Sequence, residues 1–164
     1  MKEISLNILD VAQNSLRANA TEINILVFFD TAADRLTVSI KDNGCGMSQE
    51  FVSRVLDPFT TTRTTRRVGL GLPLFRQSAL EAGGDFSIES REGKGTEVAA
   101  WFRTSHIDRM PLGDLAGTVT TRSDIFLSIG LTTESLCSIR NRQKKYSKTC
   151  LSPLRRWLRF WRTI

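Results

Sequence analysis

No apolar run in this 164-residue chain approaches the ~20 residues needed to cross a bilayer. The opening Met1-Lys2-Glu3-Ile4 carries no signal-peptide core, which predicts a cytoplasmic protein. Cysteine is sparse: Cys45, Cys137 and Cys150 are an odd number without ligand-like spacing, which argues against a disulfide framework and a zinc site. Histidine occurs once, as His106. The GxxxxGK[ST] spacing of a P-loop is missing, and no internal repeat is visible. What is present, 40% hydrophobic and 24% charged residues, excludes a fully disordered chain and leaves room for one domain plus an appendage.

The net charge of +6 is unevenly held. Residues 1–121 carry 13 Lys/Arg against 15 Asp/Glu, a net of −2, whereas residues 122–164 carry 10 against 2, a net of +8. The basic character therefore belongs to the last quarter and says nothing about the main domain. That quarter ends in PLRRWLRFWRTI, where Arg155, Arg156, Arg159 and Arg162 interleave with Trp157, Phe160 and Trp161. Four readings stay open: phosphate contacts with base stacking, a basic amphipathic helix on an anionic membrane, a shifted reading frame near Thr121, or a plain solvated tail. Nucleic acid is not an expected partner, and a membrane is one only through this tail. The expected division is a domain at 1–104, an extension at 105–120, and a basic tail at 121–164, disordered or of frameshift origin.

Met1 to about Asn19 has the period of an amphipathic helix, with Ile4, Ile8, Val11, Ala12 and Leu16 on one face. Asn7, Asp10, Asn14 and Arg17 form a polar stripe opposite, which alone is compatible with a solvated face. Alternation predicts strands at Ile23–Phe29 and Leu36–Ile40. A turn, DNGCG at 42–46, leads to a helix near Ser48–Val55 with Ser48 as N-cap. Residues 57–68, DPFTTTRTTRRV, lack an apolar period and predict a mobile loop. A helix starts in the Gly69-Leu70-Gly71-Leu72 run, tolerates Pro73 in its first turn, and ends at Gly83-Gly84. Phe86–Ser90 and Thr96–Phe102 predict a second hairpin across Arg91–Gly95. Hairpins packed on helices at one face imply an α+β fold, a two-layer α/β sandwich.

Taken singly, DNGCG is compatible with a plain turn, GLGL with close helix packing, and GKGT with a hairpin loop. In the order DVAQNS, DNGCGM, PFTTTR, VGLGL, GKGT they resemble the ATP-binding domain of gyrase-type topoisomerases, heat-shock chaperones, sensor histidine kinases and mismatch-repair ATPases, the GHKL or Bergerat fold. The resemblance covers residues 4–104, and the lid spelling is closest to the histidine-kinase branch. It implies ATP and Mg²⁺ as cofactors. Asn14 matches the magnesium-coordinating Asn, and Asp10 stands where the family usually has a Glu. Asp42 matches the Asp that accepts from the adenine amino group. Gly44, Gly46 and Met47 follow it in the same box. Phe59, Thr60 and Thr61 match the lid, Gly69, Leu70, Gly71 and Leu72 the phosphate-facing glycine box, and Thr96 the residue near adenine. Arg17 is added as a phosphate contact.

The chemistry suits those residue types. Magnesium takes oxygen ligands and keeps several waters, so one amide oxygen beside bound phosphates suffices. An acceptor-only carboxylate favours an amino edge, and backbone N–H groups at a helix start bind anions. Two positions depart from the family. Asp10 is one methylene shorter than Glu, which weakens the case for hydrolysis by an activated water. Arg67 takes the first glycine position of the usual GxGLGL. No phospho-acceptor helix is recognisable, and His106 follows the last strand as a surface residue would. These features predict a phosphotransferase of the histidine-kinase type acting on a partner protein, with an ATP-gated regulator or a mismatch-repair-like ATPase as alternatives.

Overall fold

The computed structural model describes residues 3–56, 71–115, 117, 125–131 and 137–140, the last two stretches as backbone strands. Helix α1 covers Ile4–Arg17, strand β1 Ile23–Asp30, β2 Arg35–Asp42, α2 Gln49–Val55, α3 Gly71–Glu81, β3 Asp85–Arg91 and β4 Gly95–Arg103. Each lies where the hydrophobic period placed it, within a few residues. The expected lid at 57–68, and with it Phe59, Thr60, Thr61, Gly69 and Leu70, lies outside the described residues.

Strands β3, β4, β2 and β1 lie side by side in that order, every neighbouring pair antiparallel. Register explains the burial. Ile25 pairs with Ile40, Ile40 with Val98, and Val98 with Ile88. One row further, Val27 meets Val38, Ala100 and Phe86 in succession. Strand side chains alternate faces, so these rows form one apolar surface. The helices pack against it, with Ile4, Ile8, Val11, Ala12, Phe75 and Ala79 completing the core. Phe75 joins the layers, edge-on to Phe86 at 5.9 Å and tilted against Phe102 at 6.0 Å between centroids. The result is the expected two-layer α+β sandwich. On the opposite face, Arg35 lies 4.4 Å over the Trp101 ring, and Leu26 is left exposed.

Two features differ from the sequence reading. The division at residue 104 is no break in packing, because Leu112 and Leu115 are buried in the same core as α1. Within the basic tail, β5 (Ile125–Leu131) runs parallel to β1, and β6 (Cys137–Arg140) pairs antiparallel with β5. The alternation of IFLSIGL is too short and too uniformly apolar to stand out beside the charge run that follows it. Among the described residues, no helix is long and apolar enough to cross a membrane.

Candidate functional site

The C-terminal end of α1 meets the end of β2 and the start of β4, and the DNG turn is tied down there from both sides. Cys45 N–H donates to Ala18 O at 2.9 Å, and Asn43 N–H to Glu22 O at 3.3 Å. The Asn43 side chain accepts from the N–H groups of Thr21 and Glu22 and donates to Thr21 Oγ1, all within 3.0 Å. Asn43 therefore has a local job: it fastens the turn to the chain leaving α1.

Asp42, 9% exposed, is held on both oxygens. Its Oδ1 accepts from Gly44 N–H at 2.9 Å and from Thr96 N–H at 3.2 Å. Its Oδ2 accepts from the Ser15 hydroxyl at 2.6 Å. Ser15 Oγ also lies 3.3 Å from Val11 O, but a hydroxyl has one proton, and the shorter, charge-assisted contact takes it. A carboxylate offers about four acceptor positions. Three are used by the described residues, which leaves one.

The glycines of this turn are required by the chain itself. A Cβ on Gly44 would press on Ala18 O at 2.8 Å. Gly46, at φ +66°, has no room for one because the Arg91 carbonyl faces it, and Gly95, at φ +95°, is closed off by the Asp42 carbonyl. The turn thus packs directly on the β3–β4 hairpin, where Gly93 N–H donates to Cys45 O at 2.7 Å. Ser90 completes the joint: its Oγ accepts from Met47 N–H at 2.8 Å and lies 2.8 Å from Thr96 Oγ1. The expected N-cap forms, with Phe51 N–H donating to Ser48 Oγ at 3.2 Å.

On α1, Asn14 is half-buried and Arg17 exposed, and Arg17 Nη1 donates to Asn14 Oδ1 at 3.2 Å. One turn earlier, Asp10 lies against the start of α3: a Cβ on Gly71 would sit 3.0 Å from Asp10 Cβ and 3.4 Å from its Oδ2. Glycine here lets the two helices approach closely enough to set a carboxylate beside a helix N-terminus. Leu72, expected in the site, has its side chain in the hydrophobic core, which leaves only its backbone for a ligand.

The polar stripe of α1 is therefore no solvated face. Asn7 is fully buried, and among the described residues neither atom of its side-chain amide has a hydrogen-bond partner. His106 is half-buried over Gly83, with its Nδ1 accepting from Asp108 N–H at 3.2 Å. It follows Arg103, at the far end of β4 from Thr96. Seven strand steps from Thr96 to Arg103 span about 23 Å. Among the described cysteines, Cys45 is an exposed free thiol.

Sequence reasoning missed Ser15 and Ser90. Ser15 had a signal, being one residue after Asn14 and facing inward on the wheel. Ser90 had none, since only strand pairing sets it beside Thr96.

Residues 2–106 match the family described as histidine kinase-, DNA gyrase B-, and HSP90-like ATPases. The chain belongs to that family. Its similar relatives include a putative sensor protein of Shewanella frigidimarina, 35% identical over 103 residues, which are 62% of this chain and 16% of that protein. Sporulation kinase E of Bacillus subtilis is 35% identical over 97 residues, 58% of this chain and 13% of the kinase. The sensor protein kinase FleS of Pseudomonas aeruginosa is 36% identical over 89 residues, 54% of this chain and 22% of that one. The chain thus spans a minor share of each relative's length, and what it shares with them is an ATP-binding domain of the histidine-kinase type.

Proposed function

We propose that this domain binds Mg-ATP and transfers its terminal phosphoryl group to a residue of a partner protein in a signalling pathway. The observation that carries the reading is the Asp42 carboxylate, held by three donors with one acceptor position left over. That arrangement suits the exocyclic amine of adenine and rejects the oxo group of guanine at the same edge.

Asn14 is the magnesium ligand in this reading. Its amide oxygen fits a hard cation, and its present donor, Arg17, would be repelled by a dication and turn toward the phosphates as a charge-assisted contact. Bound magnesium supplies charge neutralisation on the phosphate oxygens. The backbone N–H groups of Gly71 and Leu72, in the first turn of α3, are the anion donors for the phosphates in this reading. In the transfer, the bond from the terminal phosphorus to the bridging oxygen breaks as the bond to the partner's acceptor atom forms. ADP leaves with the electron pair, and in this reading Asp10 takes the proton of an acceptor that carries one.

Calorimetry on the full chain tests the reading. Asn14→Ala should lose the magnesium-dependent part of ATP binding. Asp42→Asn is nearly isosteric, but its amide must turn its oxygen to the two backbone N–H groups and its NH₂ toward the base. ATP should then bind at least tenfold more weakly, with its advantage over GTP gone. Absence of ATP binding by the wild-type chain would sink the proposal. Tight binding with no labelling of any protein and no phosphate release would leave an ATP-gated regulator in its place.

A further inference from the structure

Beyond the last core strand the chain turns back along the molecule and is fastened at several points. Thr104 N–H donates to Asp34 O at 3.0 Å and Ser105 N–H to Asp34 Oδ1 at 2.9 Å, with Ser105 Oγ on Asp34 Oδ2. Asp34 sits at φ +51° in the β1–β2 turn, so the anchor is the tip of a hairpin. Arg109 is half-buried and folds over the segment, its Nε donating to Thr104 O at 2.8 Å and its Nη1 to Met110 O at 3.1 Å. Burial pulls the Arg109 guanidinium below its ordinary pKa, and the Asp34 charge opposes that shift. Thr104 and Met110 are thereby clamped into one loop.

The segment then reaches the start of α1. Glu3, at the N-cap position, makes no side-chain cap bond. In its place Pro111 O accepts from Ile4 N–H at 3.0 Å, and Leu112 O from Ser5 N–H at 2.9 Å. Two of the four donors that a helix start leaves open are satisfied by another part of the chain. Gly113, at φ +76°, lies where a Cβ would overlap Glu3 and Ser5 side-chain oxygens. Leu112 and Leu115 drive the contact home in the core, at 9% and 1% exposure.

The geometry points to residues 107–115 as a positioning strap for the nucleotide site. The family match ends at residue 106, so these residues lie outside the shared domain. They hold the N-terminus of α1, a helix of 14 residues and about 21 Å, whose other end carries Asn14 and Ser15. A helix is stiff along its axis, so the cap at Ile4 and Ser5 sets where Asn14 stands relative to Asp42 and where Asp10 meets Gly71. The inference rests on the reading of Asn14 and Asp42 as ATP-binding groups. It adds that the magnesium side of the site is set from the far end of the molecule.

The test is made on the full chain with Leu115→Ala and Arg109→Gln, read by hydrogen exchange at the Ile4 and Ser5 amides and by calorimetry with Mg-ATP and with magnesium-free ADP. Both variants should exchange faster at those two amides. Mg-ATP affinity should fall about tenfold, while magnesium-free ADP, held mainly through Asp42, stays within about twofold. Fast exchange with unchanged Mg-ATP affinity overturns the strap, and so does an equal loss for both nucleotides, which is what mere loosening of the fold produces. If Leu115→Ala does not fold, Arg109→Gln decides alone, since it removes the guanidinium bonds to Thr104 O and Met110 O and no buried apolar side chain. Wild-type protein that binds neither nucleotide fails the underlying reading as well, and that result is distinct from a variant effect.

Discussion

Ser15 and Asn7 sit two turns apart on α1, and both are buried polar groups, yet their energetics are opposite. Ser15 donates its one proton to a carboxylate at 2.6 Å, a charge-assisted bond of roughly 1.5–3 kcal/mol. Ser15→Ala should therefore leave the fold intact and weaken ATP binding by about tenfold, because Asp42 loses the donor that orients Oδ2. Titration calorimetry at fixed magnesium reads it, and unchanged affinity refutes the role. Asn7 makes no hydrogen bond to any described residue with either amide atom, and each unsatisfied buried group costs about 1–3 kcal/mol. Asn7→Leu keeps the number and branching of side-chain heavy atoms and removes both polar groups, and should raise stability in urea unfolding. A destabilised variant would mean the amide has a partner, such as an internal water.

At the scale of elements, the turns around the site depend on glycine for two separable reasons. Gly46 and Gly93 both hold left-handed φ, +66° and +73°, but a Cβ on Gly93 meets nothing within 4 Å, whereas Gly46 faces the Arg91 carbonyl. Gly93→Ala should cost about 1–2 kcal/mol, the left-handed penalty alone. Gly46→Ala must add a backbone displacement between the DNG turn and the β3–β4 hairpin. It should cost clearly more and loosen the exchange protection of Gly93 N–H. Equal costs in thermal unfolding would refute the packing account. The same contrast shows what local pattern can reveal. GKGT marks a hairpin from sequence alone, but nothing local says that its second glycine backs onto Asp42.

For the molecule as a whole, the sheet separates two ends: Asp42 and Thr96 at one, His106 and the strap at the other. His106→Ala should leave both Mg-ATP affinity and any phosphoryl transfer unchanged, measured with terminally labelled ATP. Loss of label on this chain would instead identify His106 as an acceptor. Strand β5 covers the free edge of β1. A chain ending at residue 120 should keep its nucleotide affinity within about twofold but self-associate more, because an open apolar strand edge pairs with other chains. Light scattering reads that outcome.

The amphipathic period of α1, the alternation of four strands and the ordered motifs from Asn14 to Thr96 were enough by themselves to determine the layers and the family, because periodicity and turn chemistry are local properties of the chain. Only tertiary structure decided which donors hold Asp42, that Asn7 is buried and that Gly44 and Gly46 serve packing inside the chain. It also decided that residues beyond 104 cap the helix carrying Asn14. Each of these is a contact between segments far apart in sequence, set by strand register and helix approach, and no short-range pattern encodes it.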